Sequence, residues 1–121
     1  MPPTVRDLTA LRDALRRFAA ARDWEQFHTP KNLAMALAVE AAELMEHFQW
    51  LTAEDSVALA RKPRRRAVEE EIADVLLYLT RLADVLGIDP LAAARRKLRV
   101  NARKYPVRKA RGRATKYTEL G

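Results

Sequence analysis

Apolar positions recur along this chain at helical intervals, and no stretch alternates strictly enough to read as a strand. Leu8, Leu11, Leu15 and Phe18 form one stripe with arginine and aspartate opposite, which predicts a helix from Thr4 to about Ala21. A polar and aromatic connection, "RDWEQFHTPKN", follows. Thr29 then suits an N-cap and Pro30 a first turn, opening a helix that the pattern carries from Lys31 to Leu51. Thr52 with Asp55 resembles a capping box for a short helix ending near Pro63. The basic connector "RKPRRR" leads into a helix from about Arg65 to Leu86, closed by Gly87. Its main stripe is Val68, Ile72, Val75, Leu76, Leu79, Ala83 and Leu86. Asp89 and Pro90 start a last helix to about Arg103, and Pro106 ends it. The prediction is an all-α body of four main helices.

Two of these helices break their own pattern. At about 100° per residue, Glu40 shares a direction with Leu33, Leu37, Leu44 and Leu51, and Glu43 lies one turn on. The helix at 65–86 repeats the anomaly. Glu71 and Asp74 stand three residues apart on a second stripe continued by Tyr78, Leu82 and Val85. Packed together, the two helices bring four carboxylates into one place. Like charges raise carboxylate pKa values, and each partly buried ion costs several kcal/mol. A hard divalent cation removes that conflict. Oxygen donors without cysteine or a histidine pair favour Mg²⁺, or Mn²⁺, over Zn²⁺. Either pair taken alone is more often an ordinary solvated face, and "EEE" at 69–71 also fits first-turn charge favoured by the helix dipole. A di-iron bundle would need Glu-x-x-His. Here His47 follows Glu43 at the wrong spacing, and the second helix has no histidine.

Composition narrows the classes. A chain of 121 residues, 49% hydrophobic and 32% charged, is expected to form one domain with a small core that association would enlarge. Three scattered glycines exclude a Walker loop or a dinucleotide fingerprint. The absence of cysteine excludes disulfides and a thiol nucleophile and fits a reducing compartment. No apolar run approaches the ~18 residues of a membrane span, so a soluble cytoplasmic protein is expected. The net charge of +7 is uneven: residues 1–102 hold 16 basic and 15 acidic residues, and residues 103–121 hold 7 and one. A basic tail on a neutral body suggests a phosphate-bearing partner.

The residues also resemble a family. Glu40-Ala-Ala-Glu43 followed by Glu71-Ile-Ala-Asp74 is similar to the E-x-x-E…E-x-x-D signature of MazG-like all-α nucleoside triphosphate pyrophosphohydrolases. "RDWEQFHTPKNL", "FQWL", "EEIADVLLYL", "NARKYPV" and "KYTEL" look like the dCTP pyrophosphatase branch, from about Arg22 to the C-terminus. The loop at 52–66 is the least similar stretch. The resemblance implies a four-helix bundle completed by dimerisation, with a homotetramer expected first and a dimer second. It implies Mg²⁺-dependent cleavage of a triphosphate between its α- and β-phosphates, on dCTP or base-modified analogues. Glu40, Glu43, Glu71 and Asp74 would be the metal ligands, one of them acting through water or as the base. Trp24, His28 and Trp50 would enclose the base, with Tyr78 near metal and base; otherwise the tryptophans are core or interface residues. Lys97 and Asn101 would reach phosphate or sugar. Arg103, Lys104 and a tail at 106–121 would close over the site that residues 1–105 build, in cis or from a neighbouring subunit. A broader or dUTP-directed enzyme is the near alternative. An all-α module binding nucleic acid or a protein partner through its tail is the distant one, disfavoured by the neutral, acid-clustered body. No membrane partner is expected.

Overall fold

The computed structural model describes residues 4–121, and among them there is no strand. The chain forms two compact units, one ending at Ile88 and one comprising Asp89–Gly121. In the first unit, α1 spans Leu8–Ala21, α2 Pro30–Glu46, α3 Ala53–Ala58 and α4 Arg65–Val85. Helix α4 is the hub, packed against both α2 and α1. The second unit contains α5 at Pro90–Lys104 and the short α6 at Val107–Ala110. The expected all-α body is thus found, with short 3₁₀ turns before α2, before α4 and after α6.

Local chemistry sets most helix ends. Thr29 Oγ1 accepts from the Asn32 N–H, Thr52 Oγ1 from the Asp55 N–H, and Asp89 Oδ1 from the Leu91 and Ala92 N–H groups. At the end of α4 the Ile88 N–H donates to the Ala83 carbonyl and the Gly87 N–H to the Asp84 carbonyl. This paired closure needs a left-handed residue, and Gly87 has φ +68°. Helix α1 closes the same way without glycine. Asp23 takes φ 52°, while the Trp24 N–H reaches Ala19 and the Asp23 N–H reaches Ala20. The Gln26 amide holds Asp23 through both its carbonyl and its carboxylate. That closure fixes where Trp24 leaves the helix and sets its ring edge-on to Phe18 at 5.7 Å.

Three expectations are corrected. Helix α1 starts at Leu8 rather than Thr4, because Asp7 caps it by accepting from the Ala10 N–H. Helix α2 stops at Glu46 rather than Leu51. Phe48 and Gln49 both donate to the Met45 carbonyl, and Leu51 donates to Phe48, so His47–Leu51 wind into turns. The largest correction concerns which face of α4 is covered. Val68 and Ala83 of the expected main stripe are buried, but Ile72, Leu76 and Leu79 remain 53%, 41% and 44% exposed, and Leu86 is exposed too. The face bearing Glu71, Asp74, Tyr78, Leu82 and Val85 is the half-buried one. Helix α4 turns its carboxylates inward and leaves an apolar band outside.

Candidate active site

The i, i+3 spacing on α2 and the facing α4 bring Glu40, Glu43 and Glu71 together. One carboxylate oxygen from each lies within 4.8 Å of the others. Glu40 Oε2 and Glu71 Oε2 are buried and have no hydrogen-bond partner. Buried acceptors left bare are rare and unfavourable, so these two oxygens await a donor or a cation. Burial pushes the Glu40 carboxyl up to about 7, helped first by Glu43 and then by the charges of Asp74 and Glu71. Burial also raises Glu71, with Glu43 and Asp74 adding to it. A cluster of oxygen-only donors, partly desolvated and mutually repelling, suits a divalent metal ion.

Asp74 stands one turn further along α4. It weighs electrostatically on Glu40 and Glu71 but is not one of the three converging carboxylates. Instead it lines a cavity of about 150 Å³ with Trp24, His28, Tyr78 and Arg81, over an apolar floor that includes Leu15 and Leu77. Ligand sites usually span roughly 300–1,000 Å³, so this one has room for a ring rather than for a whole nucleotide. Trp24 and His28 meet edge to face at 6.3 Å. Asp74 therefore borders both an acidic centre and an aromatic slot.

Trp50 sits in the turns after α2, 87% exposed, and does not line the cavity. Lys97, Asn101, Arg103 and Lys104 all lie on α5, in the second unit. There Lys97 is exposed, Asn101 is half-buried, and the Lys104 ammonium lies 4.6 Å from the centre of the Tyr117 ring. Tyr117 also meets Tyr105 edge to face at 6.1 Å.

Sequence reasoning missed Arg81, Asp84 and Arg16. Arg81 is buried and donates from Nε to His28 Nδ1 at 3.1 Å and from Nη1 to Asp84 Oδ2 at 3.2 Å. Arg16 on α1 grips both oxygens of Asp84, at 2.8 and 2.5 Å, and holds that carboxyl below its usual range. One signal was available: Arg81 follows Asp74 by seven residues and so shares its face of α4.

Comparisons with known proteins show the family of this chain. Residues 35–120 match the MazG-like family. The chain belongs to that family. Helices α2 and α4, with their acidic pairs, fall inside the matched span. Among curated proteins, this MazG-like chain is 46% identical to dCTP pyrophosphatase 1 of Bos taurus, over 98% of its own length and 69% of the relative's. It is 45% identical to dCTP pyrophosphatase 1 of Homo sapiens, over 98% and 68%. A solved pyrophosphatase from Archaeoglobus fulgidus superposes with a TM-score of 0.78 at 44% identity, covering 88% of this chain and 98% of that one. No helix among the described residues is long and apolar enough to cross a membrane.

The raised Glu40 pKa has a measurable consequence without metal. The ordinary carboxyl value is 4.5 and the folded value about 7, so the folded chain holds a proton that the unfolded chain releases between them. The resulting stabilisation is complete below about pH 4.5 and lost as pH rises through about 7. In chelator, the thermal midpoint is expected to fall across that window, and to fall less in Glu40→Gln. Calorimetry from pH 5 to 8 on both proteins checks this. Parallel pH curves would show that Glu40 titrates normally.

Proposed function

We propose that this MazG-like chain is a dCTP pyrophosphohydrolase, splitting dCTP into dCMP and pyrophosphate and clearing base-modified analogues from the cytoplasmic nucleotide pool. One observation carries the reading: two bare, buried carboxylate oxygens beside an aromatic slot, in a chain 46% identical to dCTP pyrophosphatase 1.

Glu40, Glu43 and Glu71 would hold the cation, with Asp74, one turn further along α4, assigned as the fourth ligand from the cavity side, and oxygen-only donors favour Mg²⁺, with Mn²⁺ able to replace it. When bound, such an ion neutralises phosphate charge and acidifies a water. The chain's own residues supply position. Trp24 and His28 are assigned to hold the pyrimidine in the slot, and Tyr78, which also lines it, to stand near base and metal. Stacking of a base on an aromatic ring is worth roughly 1–3 kcal/mol. Trp50, so exposed in one chain, is assigned to the base site of the assembled oligomer, a tetramer first and a dimer second. Lys97, Asn101, Arg103 and Lys104 are assigned to phosphate and sugar, where fixed cations and donors stabilise developing charge.

The test is pyrophosphate release from a panel of dNTPs, NTPs and 5-substituted dCTPs, with and without Mg²⁺. Metal-dependent release that prefers cytosine deoxynucleotides is expected. Release that favours dUTP would move the assignment to a dUTP-directed enzyme. Salt-dependent binding to duplex DNA without any turnover would favour the tail-binding module instead. Removing residues 106–121 is expected to raise KM for dCTP with a smaller change in kcat. Unchanged kinetics in the truncated protein would take the tail out of substrate binding.

A further inference from the structure

We propose that Arg81 is a positioning residue that fixes His28 as its Nε2–H tautomer, and that this single donor reads N3 of cytosine and rejects the N3–H of uracil and thymine. The second half rests on the proposed base slot; the first half stands on hydrogen-bond chemistry alone.

A guanidinium carries only donors and does not lose its proton in a protein. Arg81 Nε lies 3.1 Å from His28 Nδ1, so Nδ1 must offer a lone pair. A neutral imidazole has one N–H, which is therefore on Nε2. Burial and the charge of Arg81 both oppose protonation of His28, with Glu25 pulling weakly the other way. The ring is thus held neutral, with its Nδ1 edge taken by Arg81, and His28 lines the cavity.

Arg81 is itself held. Its Nη1 bonds Asp84, whose carboxylate is clasped by Arg16 from α1. The chain of contacts Arg16–Asp84–Arg81–His28 joins α1, α4 and the turn after α1. Two guanidiniums share one carboxylate, so positive charge remains beside the imidazole. Its neighbours in the cavity offer aromatic faces and the Asp74 carboxylate, an acceptor. A donor at Nε2–H complements cytosine, whose N3 accepts. It opposes uracil and thymine, whose N3 carries hydrogen. A donor facing a donor leaves both unpaired in a partly desolvated slot, which supports strong discrimination.

The experiment reads tautomer and selectivity separately in the full-length chain. Long-range ¹H–¹⁵N spectra of the imidazoles report which nitrogen is protonated, with His47→Gln assigning the two histidines. The wild type is expected to show the Nε2–H form of His28, and Arg81→Met a mixture of forms. The ratio of kcat/KM for dCTP over dUTP is expected to fall roughly tenfold or more in Arg81→Met. Arg81→Lys, which keeps a cationic donor, is expected to recover part of both readouts. An Nδ1–H form in the wild type would overturn the tautomer. A changed tautomer with an unchanged ratio would overturn the base reading. A chain that cleaves neither nucleotide would overturn the proposed function, and the base reading with it, whatever the spectra show.

Discussion

Glu43→Gln is expected to lower kcat/KM for dCTP about 10³-fold or more while raising the thermal midpoint of the metal-free protein at pH 8. The opposite signs follow from one geometry. Glu43 sits with Glu40 and Glu71, and after burial it is the leading cause of the raised pKa of both. Glutamine keeps its shape and removes its charge. A lost metal ligand removes several kcal/mol of transition-state stabilisation, and 1.36 kcal/mol is a factor of ten. Without metal the same charge only repels. Above about pH 7 the folded chain carries Glu40 ionised beside its neighbours, and removing Glu43 relieves that strain. Added Mg²⁺ should reverse the order, stabilising the wild type more than the variant. Steady-state kinetics and calorimetry with and without Mg²⁺ check both arms. A variant that keeps wild-type turnover would remove the acidic cluster from the chemistry. Lost turnover without the metal-free gain would mean that the carboxylates are not crowded in solution.

The caps at Thr29, Thr52, Asp89 and Gly87 were legible because capping is chemistry between neighbours in sequence. The acidic pairs were legible because three-residue spacing on a helix is itself geometry. The end of α2 was not. Leu51 falls in register with Leu33, Leu37 and Leu44, so the apolar pattern runs on through turns that the backbone makes after Glu46. The inward face of α4 was hidden for another reason. That helix carries two apolar stripes, and letters do not rank them. Burying the acidic stripe makes sense only with a site between α2 and α4, which is tertiary information. The Arg16–Asp84–Arg81–His28 chain was hidden most completely, since Arg81 and His28 are 53 residues apart in sequence. Trp24 needed the left-handed turn at Asp23, a conformation that aspartate tolerates but does not announce.

A charge placed in the outer band of α4 is expected to dissociate the protein. Ile72, Leu76 and Leu79 present a contiguous apolar strip in one chain, next to a helix that also exposes Met35 and Val39. A chain this small gains core mainly by association. Full burial of a leucine side chain contributes roughly 1.5–3 kcal/mol, and Leu76, 41% exposed, has about 1 kcal/mol of that left to gain. In a two-fold interface each position counts twice, because the same patch serves both partners. Leu76→Arg removes two such contributions and adds two charges that would have to leave water, each at a cost of several kcal/mol. Its dissociation constant is expected to rise at least about 10³-fold, from losses of 4 kcal/mol or more at 1.4 kcal/mol per tenfold. Sedimentation should therefore find the wild type as a tetramer, or failing that a dimer, and Leu76→Arg at monomer mass with its helical content kept. Turnover should fall with the assembly, because Trp50 is assigned to the base site only there. An active variant at monomer mass would separate catalysis from assembly. A variant that keeps its wild-type mass would show that the strip is not where the copies meet.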